Sequence, residues 1–242
     1  TGNQQYAHKA AILLDRIADV YPSMDWKPYA DRGWYHSDGN SGRGKIEGCI
    51  WETGVVQSLA DAYDKILSGT VNDTSLYEFL NVQSRKYKLP ASKGSRKLFI
   101  SNVDEGILKT AFDAVLALRI RGNQGMHQLT VATCALAMNT NPKTREWLDW
   151  LFAPAGGAIP GLMVETFDRD GTSDEGAPAY SLLWGKQVFK LATILHDYSG
   201  YDDHDIFRDF PQFKKVFTVA YRMAALGKAI PNIGDYGSTG LV

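Results

Sequence analysis

At 242 residues, 44% of them hydrophobic, the chain can bury the core of one large domain or two small ones. Its 27 acidic and 26 basic residues nearly cancel, which excludes a global field for nucleic acid or an anionic membrane. Any anionic partner has to be met by a local patch. No stretch reaches the roughly 18 apolar residues that suggest a membrane span, and Cys49 and Cys134, each among apolar neighbours in a helical pattern, point to buried free thiols.

In chain order, Gln4 to Val20 reads as a first helix with Ala10, Leu13, Leu14, Ile17 and Ala18 on one stripe. Ser23 to Arg43 is a long irregular segment rich in aromatic residues. Lys45 to Leu67 predicts a second helix, Ser75 to Lys88 a shorter one, and Asn102 to Ile120 a strongly patterned one stopped by Gly122. Asn123 is positioned to cap a helix over Gln124 to Met138. Pro142 to Phe152 follows, then a Gly/Pro-rich loop to Gly161, a long helix from Pro178 to His196, and a last helix around Phe213 to Met223. With no alternating strand, the fold class is all-α. Helix hairpins around a curved core suit a toroid or solenoid, and nothing marks an internal boundary, so 1–242 reads as one domain.

Two polar, Gly-bearing breaks between helices collect the side chains suited to chemistry. The first runs from Arg119 to His127, where the Asn123 and Gln124 amides, with Arg119, Arg121 and His127 nearby, can bind a uronate carboxylate. The alternative is that Asn123 only caps a helix and His127 lies on its flank. The second runs from Asp170 through Glu175 to Tyr180, whose hydroxyl can donate to a leaving oxygen or accept a proton. The alternative there is a Tyr packed against Trp184. Asp170 and Glu175 could instead be a hydrolase pair. Trp26, Trp34, Tyr35 and His36 can form a sugar-stacking platform, or can pin a long loop to the core. His196 and His204 among Asp202, Asp203 and Asp205 match no recognised metal-ligand spacing, so no metal or other cofactor is expected.

Gly122-Asn123-Gln124, the run from Asp170 to Glu175 leading to Tyr180, Ile46 to Glu52 followed by Leu59 to Asp64, and Ile230 to Asp235 resemble the heparinase II/III-like and alginate-lyase-like polysaccharide lyases. The likeness covers most of the chain. It implies an incomplete (α/α) toroid, with this chain a fragment of a larger protein continuing into a β-sandwich that packs on the toroid. It also implies β-elimination on an acidic, uronic-acid-containing polysaccharide in the periplasm or outside the cell. Asn123 then matches the residue that neutralises the substrate carboxylate and Tyr180 the catalytic tyrosine. Where several members follow the Asn with a His, this chain has Gln124, so the base lies elsewhere or is His127. Arg119, Arg121, Trp26, Trp34, Tyr35, His36, Glu52 and Glu175 are the expected substrate-binding residues. The competing expectations are a toroidal glycoside hydrolase using Asp170 or Glu175, and a non-catalytic carbohydrate-binding toroid.

Overall fold

A computed structural model describes residues 3–34, 41–175, 178–230, 233 and 240–241. Helix makes up 64% of it and strand almost none, so the protein is all-α as expected. The chain forms two compact units, Thr1–Arg121 with Thr133–Thr140, and Gly122–Ala132 with Asn141–Val242.

In the first unit, α1 (Gln4–Val20), α2 (Lys27–Ala30), α3 (Glu52–Leu67), α4 (Thr74–Lys86), α5 (Arg96–Val103) and α6 (Thr110–Leu116) follow one another, α5 running into α6 through a π-helical turn at Asp104–Lys109. Short polar side chains start three of them: Asn3, Asp73 and Ser95 accept from the amides of Gln5, Leu76 and Leu98. Each satisfies one otherwise unpaired amide of a first turn. Ala11, Leu14, Val56, Leu76, Phe99 and Ile107 form the core. A buried ion cluster sits beside it: Lys93 Nζ reaches Asp15 Oδ2 at 2.6 Å and Asp19 Oδ1 at 2.5 Å, and Asn102 donates to Asp15 Oδ1 at 3.0 Å. Burial pushes the Asp15 carboxyl above its usual range even with Lys93 beside it. Cys49 and Cys134 are both buried and free, and burial pushes the Cys134 thiol up to about 12.

The helix expected over Lys45 to Leu67 is α3, which begins at Glu52. The reason is Glu52 itself, which is fully buried. Its Oε2 accepts the amides of Lys45, Ile46 and Glu47 at 3.2, 2.8 and 2.8 Å, while its Oε1 accepts the Tyr21 hydroxyl at 2.9 Å. Three consecutive amides converge on one carboxylate as in an anion-binding nest, and residues 45–51 form a turn closed by the Gly44–Gly48 bridge. Tyr21 is held as a donor, since burial and then the Glu52 charge push its ionisation well above the ordinary range. The expectation that Glu52 meets substrate is therefore corrected: its oxygens are occupied inside the fold.

The second unit contains the start of α7 (Met126–Met138), α8 (Lys143–Phe152), α9 (Ile159–Glu165), α10 (Pro178–Asp197), α11 (Ile206–Asp209) and α12 (Val219–Met223), with a 3-10 segment at Pro211–Phe217. Two-residue strands β1 (Ala229–Ile230) and β2 (Gly240–Leu241) pair antiparallel. Trp147, Leu148, Leu151, Ile159, Val188, Leu191 and Phe213 fill its core.

Replacing Glu52 with Ala takes the acceptor from the buried Tyr21 hydroxyl and the buried Lys45 amide, each worth about 1–3 kcal/mol, and from the part-buried amides of Ile46 and Glu47. Urea denaturation is expected to show Glu52→Ala less stable by about 3 kcal/mol or more, with Glu52→Gln losing less because it keeps one oxygen acceptor. An unchanged midpoint for Glu52→Ala would contradict this assignment.

Candidate functional site

Asn123, Gln124, His127, Glu175 and Tyr180 all belong to the second unit. Helix α7 starts at Met126, two residues later than the sequence suggests, and its cap is not Asn123. The Gly125 amide donates to Gln128 Oε1 at 3.1 Å, and Gln128 Nε2 donates to the Gly157 carbonyl at 3.0 Å. This is the reach-back half of a capping box, made by a buried Gln. Asn123 contributes only its carbonyl, to the Met126 amide. Its partly buried side-chain amide has no hydrogen-bond partner among the described residues. Gln124 is partly buried beside it, and His127 lies half-buried in the first turn of α7.

What seats this loop is Gly125, whose φ is +84°. A Cβ there would lie 2.9 Å from Val188 Cγ2 and 3.1 Å from Gln187 Cβ, so the backbone rests directly on α10. Tyr180, Trp184, Gln187 and Val188 follow at i, i+4, i+7 and i+8 and share one helix face. Tyr180 thus lies on the face that carries the Asn123 loop, eight residues or about 12 Å along the axis from Val188. Its half-buried side chain has no hydrogen-bond partner for the hydroxyl among the described residues.

The segment before α10 is pinned from the other side. Phe167 bridges Ser173, Asp168 N–H donates to the Thr172 carbonyl at 2.8 Å, and Gly171 packs so tightly on the Lys215 carbonyl that a Cβ would approach it to 2.4 Å. Asp170 accepts the Thr172 amide at 3.0 Å and its hydroxyl at 2.7 Å, and these bonds hold its exposed carboxyl below the usual range. It is a turn-former kept ionised, which is unlike the proton donor a hydrolase needs at neutral pH. Glu175 is exposed. Ser173 Oγ, Ser181 Oγ and Trp184 Nε1 are buried without a hydrogen-bond partner among the described residues, and the two serines carried no signal in the sequence.

No family model, curated protein or solved structure matches the chain.

In the first unit, Trp26 is 6% exposed and stacks on Tyr29 at 5.6 Å between ring centroids, so it is core and not an open platform. Trp34 is 67% exposed. Tyr35 and His36 lie outside the described residues. Arg119 is engaged, donating to Asp25 Oδ1 at 2.6 Å and to the Gly44 carbonyl at 3.1 Å. Arg121 is exposed, with its amide bonded to the Cys49 carbonyl and its guanidinium unpaired among the described residues. Trp51, which the sequence reading left aside, is 47% exposed.

The His196 and His204 region has a structural explanation. Among the described residues, no group of three or more His, Cys, Asp or Glu side chains is placed to hold a metal ion. His204 stacks on Phe152 at 4.1 Å, and His196 Nδ1 pairs with Asp205 Oδ2 at 2.6 Å, while Asp205 Oδ1 caps α11. No described helix is long and apolar enough to cross a membrane.

Two predictions follow from these contacts. Gly125→Ala forces a side chain into the left-handed region and against Val188, and calorimetry is expected to show a loss of about 1–3 kcal/mol. The Asp205 carboxylate raises the His196 pKa and His196 lowers that of Asp205. The His196 contribution is therefore complete below about 6.5 and lost as pH rises through its raised folded value. The Asp205 contribution is present above about 3.9 and lost as pH falls through its lowered value. In an NMR titration, His196 should protonate at higher pH than a free histidine, and Asp205→Asn, which keeps the cap, should return it to the ordinary value.

Proposed function

We propose that the protein is a polysaccharide lyase that cleaves a uronic-acid-containing polymer by β-elimination, with Asn123 and Tyr180 at its centre. The observation that carries this reading is the pairing, within one unit, of a disengaged amide and a disengaged phenol, with the loop of one seated on the helix face of the other. A cap-making Asn or a Tyr locked into a core hydrogen bond would have argued against it.

The chemistry follows from what each group can do. The Asn123 amide N–H donates to the substrate carboxylate and disperses its negative charge, which acidifies the proton on the adjacent ring carbon. A base removes that proton, the electron pair becomes the new ring double bond, and the bond from the next carbon to the glycosidic oxygen breaks. Tyr180 gives its proton to the leaving oxygen. The base is Tyr180 itself, ionised before it acts as acid, or His127, which stands at the start of α7 four residues after Asn123. The Gln124 amide can only assist as a donor.

The all-α character of both units supports the (α/α) toroid part of the reading. A substrate of this class would put the protein in the periplasm or outside the cell.

Absorbance of unsaturated uronate, followed on alginate, hyaluronan, chondroitin and heparan, is the test. Tyr180→Phe is expected to lower the rate roughly a hundredfold to ten-thousandfold, and Asn123→Ala roughly a hundredfold to a thousandfold. His127→Ala separates the two base assignments: a comparable loss names His127, and a small one leaves Tyr180 in both roles. Saturated products from any of these polymers would overturn the lyase reading in favour of hydrolysis.

A further inference from the structure

Five phenylalanines of the second unit, Phe189, Phe207, Phe210, Phe213 and Phe217, line an open cavity of about 300 Å³. Four of their rings form a chain: Phe207 to Phe189 at 5.8 Å, Phe189 to Phe217 at 5.4 Å and Phe217 to Phe213 at 5.5 Å between centroids. Phe189 is 45% exposed and Phe207 36%, whereas Phe152 and Phe167 of the same unit are buried. Large aromatic side chains gathered around a concavity and left in contact with water mark a place where something apolar docks. The elimination scheme does not use it. Phe189 lies nine residues, about 13 Å along α10, from Tyr180 and is turned about 100° from Val188 around the helix.

Shape and charge narrow what fits. At about 300 Å³ the cavity is at the small end of ligand sites, with room for one ring and a short side chain and too little for a long acyl chain. The three ring pairs meet at 62°, 71° and 79°, the edge-to-face arrangement that aromatic rings favour and that a further ring can join. Lys214 is the one charged residue on the wall. It is exposed, and its ammonium has no hydrogen-bond or ion-pair partner among the described residues. Its neighbour Lys215 is engaged, donating to the Arg169 carbonyl at 2.7 Å. Helix α11 packs on the Pro211–Phe217 segment, and the carboxylates it could offer are already taken, Asp205 by His196 and Asp209 by Arg208. An aromatic wall with one uncompensated ammonium complements a ring that carries one negative charge.

We propose that this cavity binds a small aromatic carboxylate, with its ring among the phenylalanines and its carboxylate on Lys214 Nζ. The site is separate from the one assigned to elimination and does not rest on the lyase reading.

The experiment titrates the full chain with hydrocinnamate, hydrocinnamamide, phenethylamine and octanoate by calorimetry, with amide NMR shifts locating the site and Tm read on the same samples. Hydrocinnamate is expected to bind, to shift amides around Phe189 and from Phe207 to Phe217, and to raise Tm. The uncharged amide should bind about tenfold more weakly, the loss of one charge-assisted hydrogen bond, and the amine more weakly still. Lys214→Met should raise the Kd of hydrocinnamate about tenfold while leaving that of the amide unchanged, a selectivity that a structural lysine would not show. Phe189→Ala removes part of the wall and should weaken acid and amide alike; should it lower Tm, Lys214→Met, at an exposed position, still isolates the charge. Equal affinities for acid and amide, or no effect of Lys214→Met, would overturn the carboxylate assignment. Octanoate binding more tightly than hydrocinnamate would overturn the aromatic one. Shifts at the same residues that depend on protein concentration, with dimer mass in light scattering, would give the cavity to a second copy of the chain, and no heat or shift from any probe would overturn the proposal outright.

Discussion

At residue 125 the chain takes a positive φ and lays bare backbone against Val188 and Gln187, and the arrangement of the second unit follows from that contact. Because no side chain intervenes, the loop carrying Asn123 is fixed to α10 by main-chain packing. Gln128 then turns inward to cap α7 and tie it to Gly157, which leaves the Asn123 amide uncommitted. A short polar side chain at a helix start ordinarily closes the cap itself. Here the cap is made from inside the helix, and the residue that could have made it is released for another use.

The same unit shows how a half-open end of a helix can be rigid and still chemically available. Gly185 and Gly171 both bear on Val216 or the backbone next to it, so α10 and the segment before it are clamped through one aliphatic residue. Tyr180 sits in the first turn of α10, half-buried and with its hydroxyl unpaired among the described residues. Fixed geometry with uncommitted donors is what electrostatic catalysis requires, since donors that must first break internal bonds lose much of their advantage.

Helices whose apolar residues recur at helical spacing were legible from sequence: α1 has the bounds its stripe predicts, and α10 ends one residue beyond its pattern. Boundaries failed where a distant side chain captured the backbone. Nothing local in residues 45–51 announces that Glu52 will take three of their amides. Residue type alone could not separate the buried Trp26 from the exposed Trp34 and Trp51, because stacking in a core and stacking on a sugar call for the same ring. Ser173 and Ser181 gave no signal at all, since a serine becomes unusual only once packing has taken away its water.

Glu52 also bears on how relatives of this chain should be read. A carboxylate gripped by three amides and a phenol cannot be exchanged without rebuilding the turn before α3, so selection for folding alone would hold it constant. An acidic residue invariant among related chains invites a catalytic label. At this position invariance would record the architecture of a turn, and Tyr21 would be expected to vary in step with it.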